Sequence, residues 1–156
     1  MKKIIILVTI LLNFIQPLQA KSLNSCFQEA ANKHAIPVEY LLAVSYTESR
    51  FKPKVKGHNK NGSKDYGLMQ INSIWSKQAK HMGYSWKKIT TNPCTNIMFG
   101  GQILKDNRKR MGSWSAAIGA YNAGFAKTPK AKKRRARYYN LVMSHKKAAV
   151  KKIKAM

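Results

Sequence analysis

The chain has 156 residues, with 30 Lys or Arg against five Asp or Glu and a formal net charge of +25. This is the length of one domain with a single modest core. Two Cys and four scattered His show no ligand spacing, so neither a metal nor a cofactor is expected. So basic a chain attracts polyanions, but no nucleic-acid motif accompanies the charge, so no nucleic-acid partner is expected.

Lys2 and Lys3 precede an apolar stretch from Ile4 to Ile15, and Pro17-Leu18-Gln19-Ala20 ends on a small residue. That is the layout of a secretory signal cut after Ala20, with an uncleaved N-terminal anchor as the alternative. The expected segments are a signal peptide over 1–20, one domain over 21–145 and a basic tail over 146–156. In an exported chain the pair Cys26 and Cys94 favours a disulfide. Closing so long a loop stabilises the fold by about 4 kcal/mol in the chain-entropy model.

A first helix is predicted over Leu23 to Ala35, with Phe27, Ala30 and Ala31 inward. A second runs from Pro37 to Ser49, with proline at the first helical position and Val38, Leu41, Leu42, Val44 and Ser45 on one face. Lys52 to Tyr66 is polar, and Asn61-Gly62 is a strong turn signal. It reads as a loop or short hairpin with Asp65 on the return limb. A helix follows Asn72 or Ser73 and runs to His81. Asn92 caps and Pro93 begins a helix to Met111, which Gly112 stops. Ser113 caps the next, which ends near Ala123-Gly124. A basic helix covers Lys132 to Ser144, and the rest is expected to fray. Lys127 to Lys154 carries 12 Lys and Arg and no acid. The stretch is a candidate contact for an anionic surface or simply a solvated face.

With five acids, each can be asked what it is for. Glu39, in a first helical turn, complements the helix dipole. Glu29 with Lys33 and Asp106 with Arg110 have the spacing of surface ion pairs. Glu48 does not fit. It shares the apolar face of Leu41 and Val44 and sits in a last turn, where the dipole disfavours negative charge. Both effects favour a protonated carboxyl, which is what a general acid needs. The alternative is a carboxylate swung outward to Arg50 or Lys52. Asp65, in a polar loop, is expected to stay charged. A protonated Glu beside a charged Asp is the pairing that glycoside hydrolysis uses, with lysozyme the standard illustration.

Those residues lie in recognisable motifs. The chain resembles the lytic transglycosylases of the lysozyme-like superfamily, most closely the small members associated with type III and type IV secretion systems and pili. Glu48-Ser49-Arg50-Phe51 matches the motif that carries the family's catalytic glutamate. Gly67-Leu68-Met69-Gln70 and Ala120-Tyr121-Asn122-Ala123-Gly124 match two more. Asn92-Pro93-Cys94-Thr95-Asn96-Ile97 matches the start of a central helix, and Arg135 and Tyr138 fit a weaker C-terminal pattern. The likeness runs from about Cys26 to Val142.

The resemblance implies a lysozyme-like α+β fold, mainly helical, with a short hairpin or loop beside the active-site groove. It implies peptidoglycan glycan strands as substrate, an envelope-spanning secretion or pilus apparatus as partner, and the periplasm as location. Glu48 would protonate the glycosidic oxygen and then act as base, while the muramic acid 6-hydroxyl closes a 1,6-anhydro ring. Ser49, Gln70, Tyr121 and Asn122 fall at motif positions, the first three usually lining the groove. Tyr121 and Tyr138 are candidates to hydrogen-bond Glu48, and Trp75 is the best of three Trp for stacking on sugar.

Asp65-Tyr66-Gly67-Leu68-Met69-Gln70-Ile71-Asn72-Ser73 also resembles the run of animal c-type lysozymes that holds their second carboxylate. A hydrolase using Glu48 and Asp65 is therefore the first alternative. A non-catalytic cationic wall-binding protein on an enzyme scaffold is the second.

Overall fold

The computed structural model describes residues 21–156, so the signal-peptide reading over 1–20 lies outside the described residues. The order is α1 (Leu23–His34), α2 (Val38–Ser49), β1 (Lys56–His58), β2 (Lys64–Tyr66), β3 (Ile71–Asn72), a 3-10 turn over Ser73–Trp75, α3 (Ser76–His81), α4 (Trp86–Thr91), α5 (Pro93–Met111), α6 (Trp114–Ala123) and α7 (Pro129–Lys154). Among the described residues, no helix is long and apolar enough to cross a membrane.

Local chemistry sets the helix limits. Ser22, Ser85, Asn92, Ser113 and Thr128 each accept a backbone N–H in the first turn of the helix that follows. Gly112 ends α5 in the left-handed region at φ 79°. Pro37 stands one place before its predicted position, as the cap of α2. The α4 helix has no counterpart among the predicted elements.

The predicted hairpin forms, with Asn61-Gly62 in the loop between β1 and β2, and the Asn59 N–H bonds Ser63 O at 2.9 Å. A third strand joins it, pairing Asp65 with Asn72 and Tyr66 with Ile71 antiparallel. The predicted helix after Asn72 is thereby delayed to Ser76 behind the 3-10 turn. A pair of residues is too short to give a readable period-two pattern.

Phe27, Leu41, Leu68, Phe99, Leu104 and Ile118 are fully buried and join α1, α2, α5 and α6 to the turn after β2. Cys26 and Cys94 form the expected disulfide, tying α1 to α5 across 68 residues of sequence.

The fraying expected after Ser144 does not occur, because α7 continues to Lys154. Tyr138, Val142, Ala149 and Ile153 recur on one helical face and are all buried. That face docks against the core, and the Lys-rich remainder stays outside. Two predicted ion pairs are also replaced. Glu29 pairs with Lys21. Asp106 accepts both bonds from Gln102 Nε2, at 3.0 and 3.1 Å, one turn earlier on the same helix.

Ile153→Ala should therefore destabilise the protein by about 3 kcal/mol, read from urea unfolding. A frayed C-terminus would leave the midpoint where it is.

Candidate active site

Glu48 ends the apolar face of α2 and is half-buried. The Tyr138 hydroxyl, from α7, donates to Glu48 Oε1. Burial pushes the Glu48 carboxyl above its ordinary value, the Tyr138 bond pulls it back, and the Asp65 charge raises it further. The outward alternative is not taken. Arg50 and Phe51 have φ of 55° and 61°, which turns the chain sharply after the helix. Arg50 lies over the Tyr46 ring at 4.5 Å and bonds His145 Nε2 at 3.2 Å. Among the described residues, Glu48 has no cationic partner.

Facing Glu48 is the short turn that joins β2 to β3. Gly67, Leu68 and Met69 are buried, so its backbone groups need partners from elsewhere. Ser45 and Ser49, from α2, place their hydroxyls 3.1 and 2.8 Å from Leu68 O. Tyr121, from α6, donates to Met69 O at 2.8 Å. Asn96, from α5, accepts from Met69 N at 2.8 Å and donates to Tyr66 O at 2.9 Å and Ile89 O at 3.0 Å. Gly67 has φ 73°, and a Cβ there would lie 2.7 Å from Asn96 Nδ2, so glycine is required twice over. Gln70, at φ 45°, closes the turn by donating to Gly67 O at 2.8 Å.

The turn sets the register that puts Asp65 beside Asn72. Asn72 Nδ2 donates to Asp65 Oδ1 at 2.7 Å, and Asn59 Nδ2 to Oδ2 at 2.8 Å. Each carboxylate oxygen thus accepts one amide N–H, which fixes the plane of the group. Glu48 and Asp65 border one cleft of about 450 Å³, lined also by Gln70, Trp75, Asn107, Tyr121, Asn122 and Phe125. Among the described residues, no group of His, Cys, Asp and Glu could hold a metal ion.

The predicted site residues take four kinds of position. Glu48, Asp65, Asn122 and Trp75 border the cleft, and Trp75 is backed edge-on by Phe99 at 6.3 Å. Tyr138 reaches Glu48 as expected, from a buried position behind it. Ser49 is corrected from the groove to the interior, 5% exposed, because its hydroxyl is needed at Leu68 O. Tyr121 borders the cleft, but its hydroxyl serves Met69 O and not Glu48. Burial raises its pKa well above the ordinary value, reinforced by the Glu48 and Asp65 charges. Gln70 borders the cleft with its amide nitrogen tied to the turn.

Sequence reasoning missed Asn59 and Phe125, and the role of Asn72 as an Asp65 donor. Asn59 and Asn72 had one available signal, since a hairpin centred on Asn61-Gly62 brings its flanks together across the strands.

The model of the "Transglycosylase SLT domain" matches residues 25–141. Invasion protein IagB of Salmonella typhimurium is 45% identical over 114 residues, which is 72% of this chain and 69% of that protein. Protein IpgF of Shigella flexneri is 39% identical over 113 residues, 72% of this chain and 73% of that protein. An inactive mutant of lytic transglycosylase Slt from Pseudomonas aeruginosa superposes with a TM-score of 0.64 at 19% identity. That match covers 85% of this chain and 24% of that one, and it shows the lysozyme-like fold.

The raised Glu48 group has a consequence for stability. Its stabilising contribution is complete below the unfolded-state carboxyl pKa and is lost as pH rises through the higher folded-state value. Glu48→Gln stays neutral throughout. The variant should match the wild type in stability below about pH 4 and exceed it progressively as pH rises from there through the folded-state value. Urea unfolding across that range checks this, and a constant difference would mean that Glu48 is not desolvated.

Proposed function

Since the chain belongs to the transglycosylase SLT family, we propose that it cuts the β-1,4 bond between MurNAc and GlcNAc and leaves a 1,6-anhydro-MurNAc end. The chain is a peptidoglycan lytic transglycosylase; the bond broken and the ring closed are the proposal. One observation carries it. Glu48 is desolvated, free of any cation among the described residues, oriented by Tyr138 and open to a cleft. Burial favours the protonated form of a carboxyl so placed, the form a general acid needs in order to deliver its proton.

In the proposed course Glu48 gives its proton to the glycosidic oxygen, and the bond from that oxygen to the MurNAc anomeric carbon breaks. The same sugar's 6-hydroxyl bonds to that carbon and returns its proton to Glu48. No water is consumed and the acid is regenerated. Asp65 opposes the positive charge that builds on the sugar in the transition state. Asn122 and Trp75 border the groove where the strand would lie. The motif likeness to secretion-associated members, and a relative named an invasion protein, support a periplasmic role beside an envelope-spanning secretion or pilus apparatus. There the enzyme would open the wall locally.

A hydrolytic second reading rests on Asp65, which borders the same cleft as Glu48 with both oxygens fixed by Asn59 and Asn72. Water would replace the 6-hydroxyl as nucleophile, with the same two carboxylates.

Mass spectrometry of muropeptides released from purified sacculi separates the two. The expected ends are anhydro, lighter by one water, and reducing ends alone would establish the hydrolase. Glu48→Gln should lower release about a thousandfold; a variant that still solubilised wall would remove Glu48 from the reaction. Asp65→Asn should lower turnover about a hundredfold. Unchanged turnover would reduce Asp65 to a loop residue.

A further inference from the structure

The last turn of α5 carries three successive cations, Arg108, Lys109 and Arg110. All three complement the negative end of the helix dipole, and that alone would explain them. Arg110 has a further relation to the site. It follows Ile103 and Asn107, which border the cleft, at the spacing that keeps one helical face. Its guanidinium carbon lies 3.9 Å from the centre of the Phe125 ring, and Phe125 borders the same cleft. Arg108, by contrast, turns toward Trp114.

Two features fix this arrangement. The loop that carries Phe125 is held by Arg135 Nη1, which donates to Gly124 O at 3.1 Å and Ala126 O at 2.8 Å. Asp106, the spacing partner of Arg110, is engaged instead by Gln102. Among the described residues, Arg110 has no carboxylate partner. A guanidinium resting on an aromatic ring keeps its in-plane N–H donors free, in a fork that matches a carboxylate.

We infer that Arg110, seated on Phe125, is a specificity residue that binds a carboxylate of the peptide stem carried by the glycan strand. This rests on the peptidoglycan reading above. In an intact strand the lactyl carboxyl of each MurNAc is tied up in the amide that joins the stem, so the sugars offer hydroxyls and acetamides and the free carboxylates belong to the stems. A cation held on a ring of the groove therefore distinguishes strands whose stems carry free carboxylates from strands whose stem carboxylates are amidated. The planar fork should count as well as the charge, so lysine is an incomplete substitute.

The test compares turnover on purified sacculi with turnover on the same sacculi after their free stem carboxylates have been converted to amides with carbodiimide and ammonia. The wild type should prefer the untreated sacculi. Arg110→Gln should reduce that preference, taken as the ratio of kcat/KM values, about tenfold. Arg110→Lys should keep part of it. If Arg110 merely props Phe125, both substrates suffer alike, the ratio holds, and the inference is overturned. A wild type that cuts neither substrate overturns the peptidoglycan reading and this inference together, which is a distinct result.

Discussion

The site depends on a buried turn that cannot satisfy its own backbone. From Tyr66 to Met69 the chain runs through the interior, where each unpaired N–H or C=O would be destabilising by about 1–3 kcal/mol. Side chains from three helices supply the missing bonds: Ser45 and Ser49 from α2, Asn96 from α5 and Tyr121 from α6. Because those same helices form the core, the turn has one position relative to them. Asp65 enters the turn, and Ser49 is the residue after Glu48. The bonds that satisfy the turn therefore also relate one carboxylate to the other.

Electrostatics completes what the turn begins. A chain with 30 cations could easily place one against Glu48. Such a neighbour would favour the ionised carboxylate and remove the proton that the proposed acid has to deliver. A neutral phenol orients the group instead, and Tyr138 is itself held protonated, its pKa raised well above the ordinary value by burial and by the Glu48 charge. Arg50, two residues from Glu48, is drawn off by Tyr46 and His145. The basic character of the protein is thus kept at a distance from its acid.

Much of this was legible in the sequence where a local rule governs. Asn92-Pro93, Gly112 and Ser113 delimit helices by capping chemistry, and each sits where that chemistry requires. The burial of Glu48 followed from its heptad relation to Leu41. Long-range partner choice was not legible. Ser49 and Tyr121 stand in motifs that suggest contact with sugar, yet their hydroxyls are claimed by carbonyls 19 and 52 residues away in sequence. Asp106 has a basic residue at the right spacing and bonds an amide on its other side. The end of α7 was misjudged because twelve cations suggest solvent, while four buried residues on the opposite face decide the matter.

The helix that supplies Tyr138 is the last element of the chain. Ninety residues separate that hydroxyl from the acid it orients. A polypeptide that ends short of α7 can contain every carboxylate of the site and still lack the contact that orients Glu48. The C-terminal helix therefore works as a completeness check, since a piece of this wall-cutting enzyme that stops before Tyr138 leaves Glu48 without its orienting partner.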